Sequence, residues 1–217
     1  MIANASSDVH ASFRSNRLQQ GLFAAYVAVW IWAAVDPAYR FDWFLENILI
    51  FAAFPFLVAT HARFPLSDAS YVLIFLFACL HAVGSHYTYS EVPIGFWLQS
   101  ELGLARNHYD RFVHFCFGLL LLHPLREAGR RYGGGENAFA TLAALGFVCM
   151  GSVGFEILEM CVAMIVDPEA GQADLGTQGD EWDAQKDMAL AALGAFLALA
   201  LTLGVKRRRG SPATTGG

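Results

Sequence analysis

The chain has 217 residues, of which 56% are hydrophobic and 15% charged, with a net charge of −5. A soluble domain carries about 25% charged residues; here long apolar runs alternate with short polar clusters, the pattern of an integral membrane protein. There is no basic patch with interleaved aromatics, which argues against nucleic acid as a partner.

Residues 1–17 form a short segment with basic residues Arg14 and Arg17. The first apolar run, about 18–35, places Trp30 and Trp32 near its end, where interfacial anchors belong. A cleaved signal peptide would need a small-residue cleavage site close behind it, and none follows. Further runs lie at about 43–60, 69–87, 111–125, 139–166 and 184–205. Each approaches or exceeds the ~20 residues that span ~30 Å of hydrocarbon. The expected fold is therefore all-α, a polytopic membrane helix bundle of about six transmembrane helices over 18–205. Residues 206–217 read as a basic, disordered tail, since Lys206 to Arg209 precede a Gly/Ser/Thr-rich end. Cys79, Cys116, Cys149 and Cys161 all fall in apolar runs and form no CxxC pair, so each reads as a small buried hydrophobe. Gly146, Gly151 and Gly154 suggest close helix approach along the fifth span.

With six spans, both termini and two loops share one side, and ten of the 14 Lys and Arg fall there: Arg14, Arg17, Arg63, Arg126, Arg130, Arg131 and Lys206 to Arg209. The positive-inside rule then makes both termini cytoplasmic. Acidic residues gather on the other side, in the loop holding Asp167, Glu169, Asp174, Asp180 and Glu181.

Ionisable groups within spans are costly and mark function. The third run ends His81-Ala82-Val83-Gly84-Ser85-His86-Tyr87, and the fourth opens Asp110-Arg111-Phe112-Val113-His114. The fifth carries Glu156 and Glu159, and the sixth opens with Asp183 and Asp187. In the expected orientation all four clusters lie in the outer half of the bilayer. Asp110/His114 and Asp183/Asp187 are spaced i,i+4 and Glu156/Glu159 i,i+3, so each pair shares a helix face. A structural account also exists for part of the set: Asp180 and Asp183 could cap a helix start, Asp110 could pair with Arg106 or Arg111, and His81 could bond another helix.

Imidazole and carboxylate together suit Zn, Fe, Mn or Ni. Candidate ligands to a divalent metal such as Zn are His81, His86, His114, Glu156, Asp183 and Asp187, with Glu156, Asp187 and Asp110 as candidate catalytic acid–base groups. No HExxH-type motif fixes a geometry. One reading is a metal-assisted hydrolase or transferase on a lipid or lipid-linked envelope substrate. The other is a non-enzymatic protein, such as a small transporter or accessory subunit, whose polar core binds an ion, a proton or a lipid headgroup.

The elements HAVGSHYTYSEVP, RNHYDRFVHFCFG, GFEILEM and GTQGDEWDAQKDM carry a resemblance. Through them the chain resembles the YjdF-like family of bacterial inner-membrane proteins, from the first span to the sixth. That resemblance implies a cell-envelope protein of the inner membrane, surrounded by lipid, with the polar cluster as a shared design. More distantly the chain is similar to VanZ-like proteins, through Asp110-Arg111-Phe112-Val113-His114-Phe115, Gly154-Phe155-Glu156 and Asp183-Ala184-Gln185-Lys186-Asp187. The teicoplanin resistance associated with that group is not carried over. The His81–Tyr89 stretch and Asp180-Glu181-Trp182 depart from its pattern.

Overall fold

The computed structural model describes residues 13–133, 137–165 and 177–210. Eight α-helices are seen among them: α1 (Arg17–Ala34), α2 (Arg40–Glu46), α3 (Ile48–Thr60), α4 (Asp68–Tyr87), α5 (Pro93–Leu102), α6 (Tyr109–Tyr132), α7 (Asn137–Ala163) and α8 (Asp183–Gly210). A 3₁₀ turn, Tyr89–Glu91, joins α4 to α5. The protein is a polytopic helical membrane protein. By length and apolarity alone α4, α7 and α8 suffice to cross a bilayer, and α2 with α3 does so as one unit bent by 43° at Asn47. The charges of α6 and the Arg-Leu-Gln-Gln start of α1 dilute the hydropathy of those two.

Several boundaries differ from the sequence reading. The second run is two helices, because Asn47 turns its side chain back to the Trp43 carbonyl and accepts from Trp30 Nε1 instead of extending one straight helix. The fourth helix continues to Tyr132, past Pro124. The last runs to Gly210, so the basic segment begins as helix and not as a disordered tail. Residues 1–12 and 211–217, and with them most of both terminal segments, lie outside the described residues, as do Asp167, Glu169 and Asp174.

At the centre is α6, packed against α8, α4 and α7, with α1 on the far side of α4. In lipid there is no hydrophobic drive between helices, so close van der Waals contact has to hold them. The α6–α8 crossing supplies it through Gly118 and Gly194. A Cβ at Gly118 would lie 1.8 Å from the Ala191 carbonyl oxygen, and one at Gly194 2.1 Å from that of Phe115. Leu122, Ala144, Val148, Ala191 and Ala195 form the buried core beside this crossing. The fifth-span glycines do not play the expected part: Gly146 and Gly154 meet nothing within 4 Å, and only Gly151 abuts another helix, at the Phe117 ring. Cys149 and Cys161 are exposed on α7, and Cys116 alone of the four cysteines is buried.

The two ends of the bundle are closed differently. At the start of α4, Ser67 accepts from the Ser70 amide, while Glu127 of α6 takes the Ser67 amide at 2.9 Å, both Ser67 and Ser70 hydroxyls, and Arg131 at 2.8 Å. That satisfies the first orphan amides of the helix. At the other end the chain leaves α4 through Thr88, held at φ +63°, a conformation a β-branched residue adopts only under constraint. This turn folds Tyr89 back onto α4, where its ring fills the notch over Gly84.

Candidate functional site

The starts of α6 and α8 meet at the same end of the bundle as the end of α4. Asn107 organises the junction. It is wholly buried; its Oδ1 accepts from the Tyr109 amide, its Nδ2 donates to the Val92 carbonyl at 3.0 Å, and its main chain pairs twice with the Gln178 side chain. Gly95 permits this, since a Cβ there would sit 1.8 Å from Asn107 Oδ1.

Beside Asn107, buried Arg106 forms a two-pronged pair with Asp183, Nη2 to Oδ2 at 3.0 Å and Nη1 to Oδ1. Arg111 bridges Asp183 at 2.7 Å and Asp180 at 2.6 Å, and Lys186 reaches Asp180 at 2.5 Å. Hydrogen bonds from Lys186, Arg111 and the Trp182 amide hold the Asp180 carboxyl well below the usual carboxylate range. Asp183 therefore spends both oxygens on arginine.

One helical turn deeper the balance reverses. Asp110, Asp183 and Asp187 are buried, with one carboxylate oxygen from each lying within 4.8 Å of the others. His114 stands next to them, its Nε2 3.3 Å from Glu156 Oε1 and 3.6 Å from Asp110 Oδ1, its Nδ1 3.3 Å from the Ser152 hydroxyl. Glu159, also buried, lies one turn along α7 from Glu156. Among the described residues Asp110 Oδ1 and Asp187 Oδ1 are buried atoms without a hydrogen-bond partner, and Glu156 Oε1 has only the His114 contact. Such atoms are rare in folded proteins and call for an explanation such as a bound ion. A cleft of about 510 Å³ opens alongside, lined by Arg106, His108, Arg111, Asp180 and Trp182 among others.

A family model described as "Predicted membrane protein (DUF2238)" matches residues 18–208, nearly the whole chain and every helix that lines this site. The chain belongs to the DUF2238 family. It is also 37% identical over 168 residues to the inner membrane protein YjdF of Escherichia coli (strain K12), a match covering 76% of this chain and 79% of that one. No solved structure matches it. These comparisons give no support to the distant VanZ-like resemblance.

In this DUF2238 protein five of the sequence-derived candidates come together: Asp110, His114, Glu156, Asp183 and Asp187. The other two histidines stand apart. His81 is buried against Tyr89, whose hydroxyl meets its Nδ1 at 2.5 Å, with the Glu46 main chain on its other side. His86 belongs to a helix contact and not to the cluster; its Nδ1 faces the Ala33 carbonyl at 3.1 Å, and its ring lies on Trp32 at 4.5 Å. Its side chain points to α1 because 81 and 86 are five positions apart, which rotates them well away from one another on a helix of 3.6 residues per turn. Two residues of the site gave little sequence signal. Arg106 sits in a short loop, and Ser152 looks like an ordinary small residue.

Proposed function

We propose that this protein binds a divalent cation between α6, α7 and α8 and uses it in a hydrolase or transferase reaction on a lipid or lipid-linked envelope substrate. The single observation that carries the reading is the convergence of the buried Asp110, Asp187 and Glu156 carboxylates on one imidazole, His114, with one oxygen each of Asp110 and Asp187 left without a hydrogen bond among the described residues. Carboxylate oxygens with one imidazole suit Zn, Mn or Fe. Burying several carboxylates without a compensating charge is expensive, and a cation offsets that cost. Asp183 is the least suited ligand, because Arg106 and Arg111 already occupy its oxygens. Its role in this reading is to fix the two arginines at the cleft, where they favour an anionic substrate group. A divalent cation supplies Lewis acidity there. The charge bias of the loops favours an orientation with both termini in the cytoplasm and the site in the outer half of the bilayer.

A second reading rests on depth. Asp187 is only 1% exposed, which leaves its carboxylate little contact with any substrate and suits a protein that merely binds an ion or proton. Metal content and water access separate the two. Detergent-purified protein is expected to carry about one equivalent of a transition metal that survives mild dialysis. Asp187→Asn and His114→Ala are expected to lose it while eluting as folded protein. A metal-free wild type together with a fully stable Glu156→Gln variant would overturn the metal site.

A further inference from the structure

We infer that α5 lies flat in the lipid headgroup layer, so that the cleft beside the site opens sideways into that leaflet and admits the head of a membrane lipid. This deepens, and rests on, the reading of the site as one that acts on a lipid. Ten residues rise about 15 Å, half of what a span needs, so α5 cannot cross. Yet it exposes Ile94, Phe96, Trp97, Leu98 and Leu102, with Trp97 56% accessible. Water is a poor solvent for that surface, and none of the described helices covers it. The surroundings match the apolar–aqueous boundary. Trp32 at the end of α1, Phe41 and Phe44 on α2, and Trp182 before α8 are all exposed large aromatics at this same end, a belt of the kind that marks the interface. Only Ser100 and Glu101 are exposed polar side chains on α5.

The depth of α5 is also the depth of the cleft. Gly95 lies directly against Asn107, and Asn107 is hydrogen-bonded through both main-chain groups to Gln178, a cleft-lining residue. Arg106 and His108, its neighbours in sequence, also line the cleft. The Gly95–Asn107 contact therefore ties the helix to the cleft wall, so a lipid beside α5 presents its headgroup at the level of Arg106 and Arg111.

The test is spin-label accessibility in nanodiscs, with the four native cysteines replaced by Ala. Labels go at Leu98→Cys on α5, with Phe96→Cys as a second position should the first fail to fold, and at Trp182→Cys at the cleft. Both positions are expected to collide with oxygen and, to a lesser degree, with a water-soluble nickel chelate, giving a depth near the glycerol and phosphate layer. An α5 label accessible only to the chelate would place the helix in water and overturn the proposal. A label shielded from both would mean protein covers α5, a second copy or a partner, and would overturn it too. Lipid-level depth at α5 with a Trp182 label in bulk water would overturn the sideways opening. Elemental analysis of the same samples reads the cation site separately, so the failure of one reading is not mistaken for the failure of the other.

Discussion

Arg106 meets Asp183 side by side across 77 positions of sequence, both guanidinium Nη groups on both carboxylate oxygens, and so ties the entrance of α6 to the first turn of α8. Both groups are buried. Breaking such a pair leaves an uncompensated charge, which costs about 3–5 kcal/mol, whereas replacing both members by apolar groups is often nearly neutral. Arg106→Met is therefore expected to destabilise by about that amount, with Arg106→Met/Asp183→Leu recovering most of the loss. Reversible unfolding in mixed detergent measures both. With Asp183→Leu closing the cycle, a double-variant loss equal to the sum of the two single losses would show that the pair is not energetically coupled.

The exposed end of the same network is expected to respond to acid. Asp180 has its folded pKa depressed by Lys186 and Arg111, so its contribution is present above the unfolded carboxylate value near ~3.9 and is lost as pH falls through the lower folded value. Asp180→Asn should melt below wild type from pH 5 to 8, and the gap should begin to narrow below about pH 4 and keep narrowing as pH falls toward the lower folded value. Melting curves across that range decide it; a gap that persists unchanged in acid would mean the hydrogen-bond geometry matters and the charge does not.

Glycines at two kinds of position should behave oppositely. Gly118→Ala drives a methyl into the Ala191 carbonyl and is expected to cost about 1–3 kcal/mol as an overpacked contact, shifting α8 and with it Asp187. Gly146→Ala meets open space and removes a poor helix former, so it should be neutral or gain up to about 1 kcal/mol. Thermal stability of the two purified variants, with metal content as the second readout for Gly118→Ala, tests the contrast.

Orientation has its own check. Glu181→Cys, exposed beside the cleft, is expected to react with a membrane-impermeant maleimide in intact spheroplasts of a cysteine-free background. Reaction only after lysis would invert the topology and move the site to the cytoplasmic half.

Much of the arrangement was legible because two periodicities agreed. Asp110/His114, Asp183/Asp187 and Glu156/Glu159 each repeat at helical spacing within an apolar run, and charges that cannot face lipid must face one another. The bundle and the five converging side chains follow from that. What sequence reasoning missed has local causes. α5 falls outside the six apolar runs since PIGFWLQSEL is too short to span, although Ile94, Trp97, Leu98 and Leu102 share one face at i, i+3, i+4 and i+8. His86 was grouped with the site on composition, but the rotation per residue turns it to Trp32. The close helix crossing was assigned to the glycine-rich fifth span, whereas it depends on two isolated glycines, Gly118 and Gly194, each unremarkable until its neighbour 70 or more positions away is known.

The long sequence separation of Arg106 and Asp183 also bears on how the chain enters the membrane. Asp110, Arg111 and His114 make α6 a poor candidate for insertion alone, since each such charge raises the insertion cost. Its neutralising partners on α8 are not yet synthesised when α6 emerges. At about 5–20 residues per second, the interval between the two is roughly 4–15 s. During that time α6 must wait at the translocon mouth, or lean on α4, before α8 arrives and seals it. In a truncated chain ending before Asp183, Cys116 of α6 should accordingly react with a membrane-impermeant maleimide while Cys79 of α4 remains shielded.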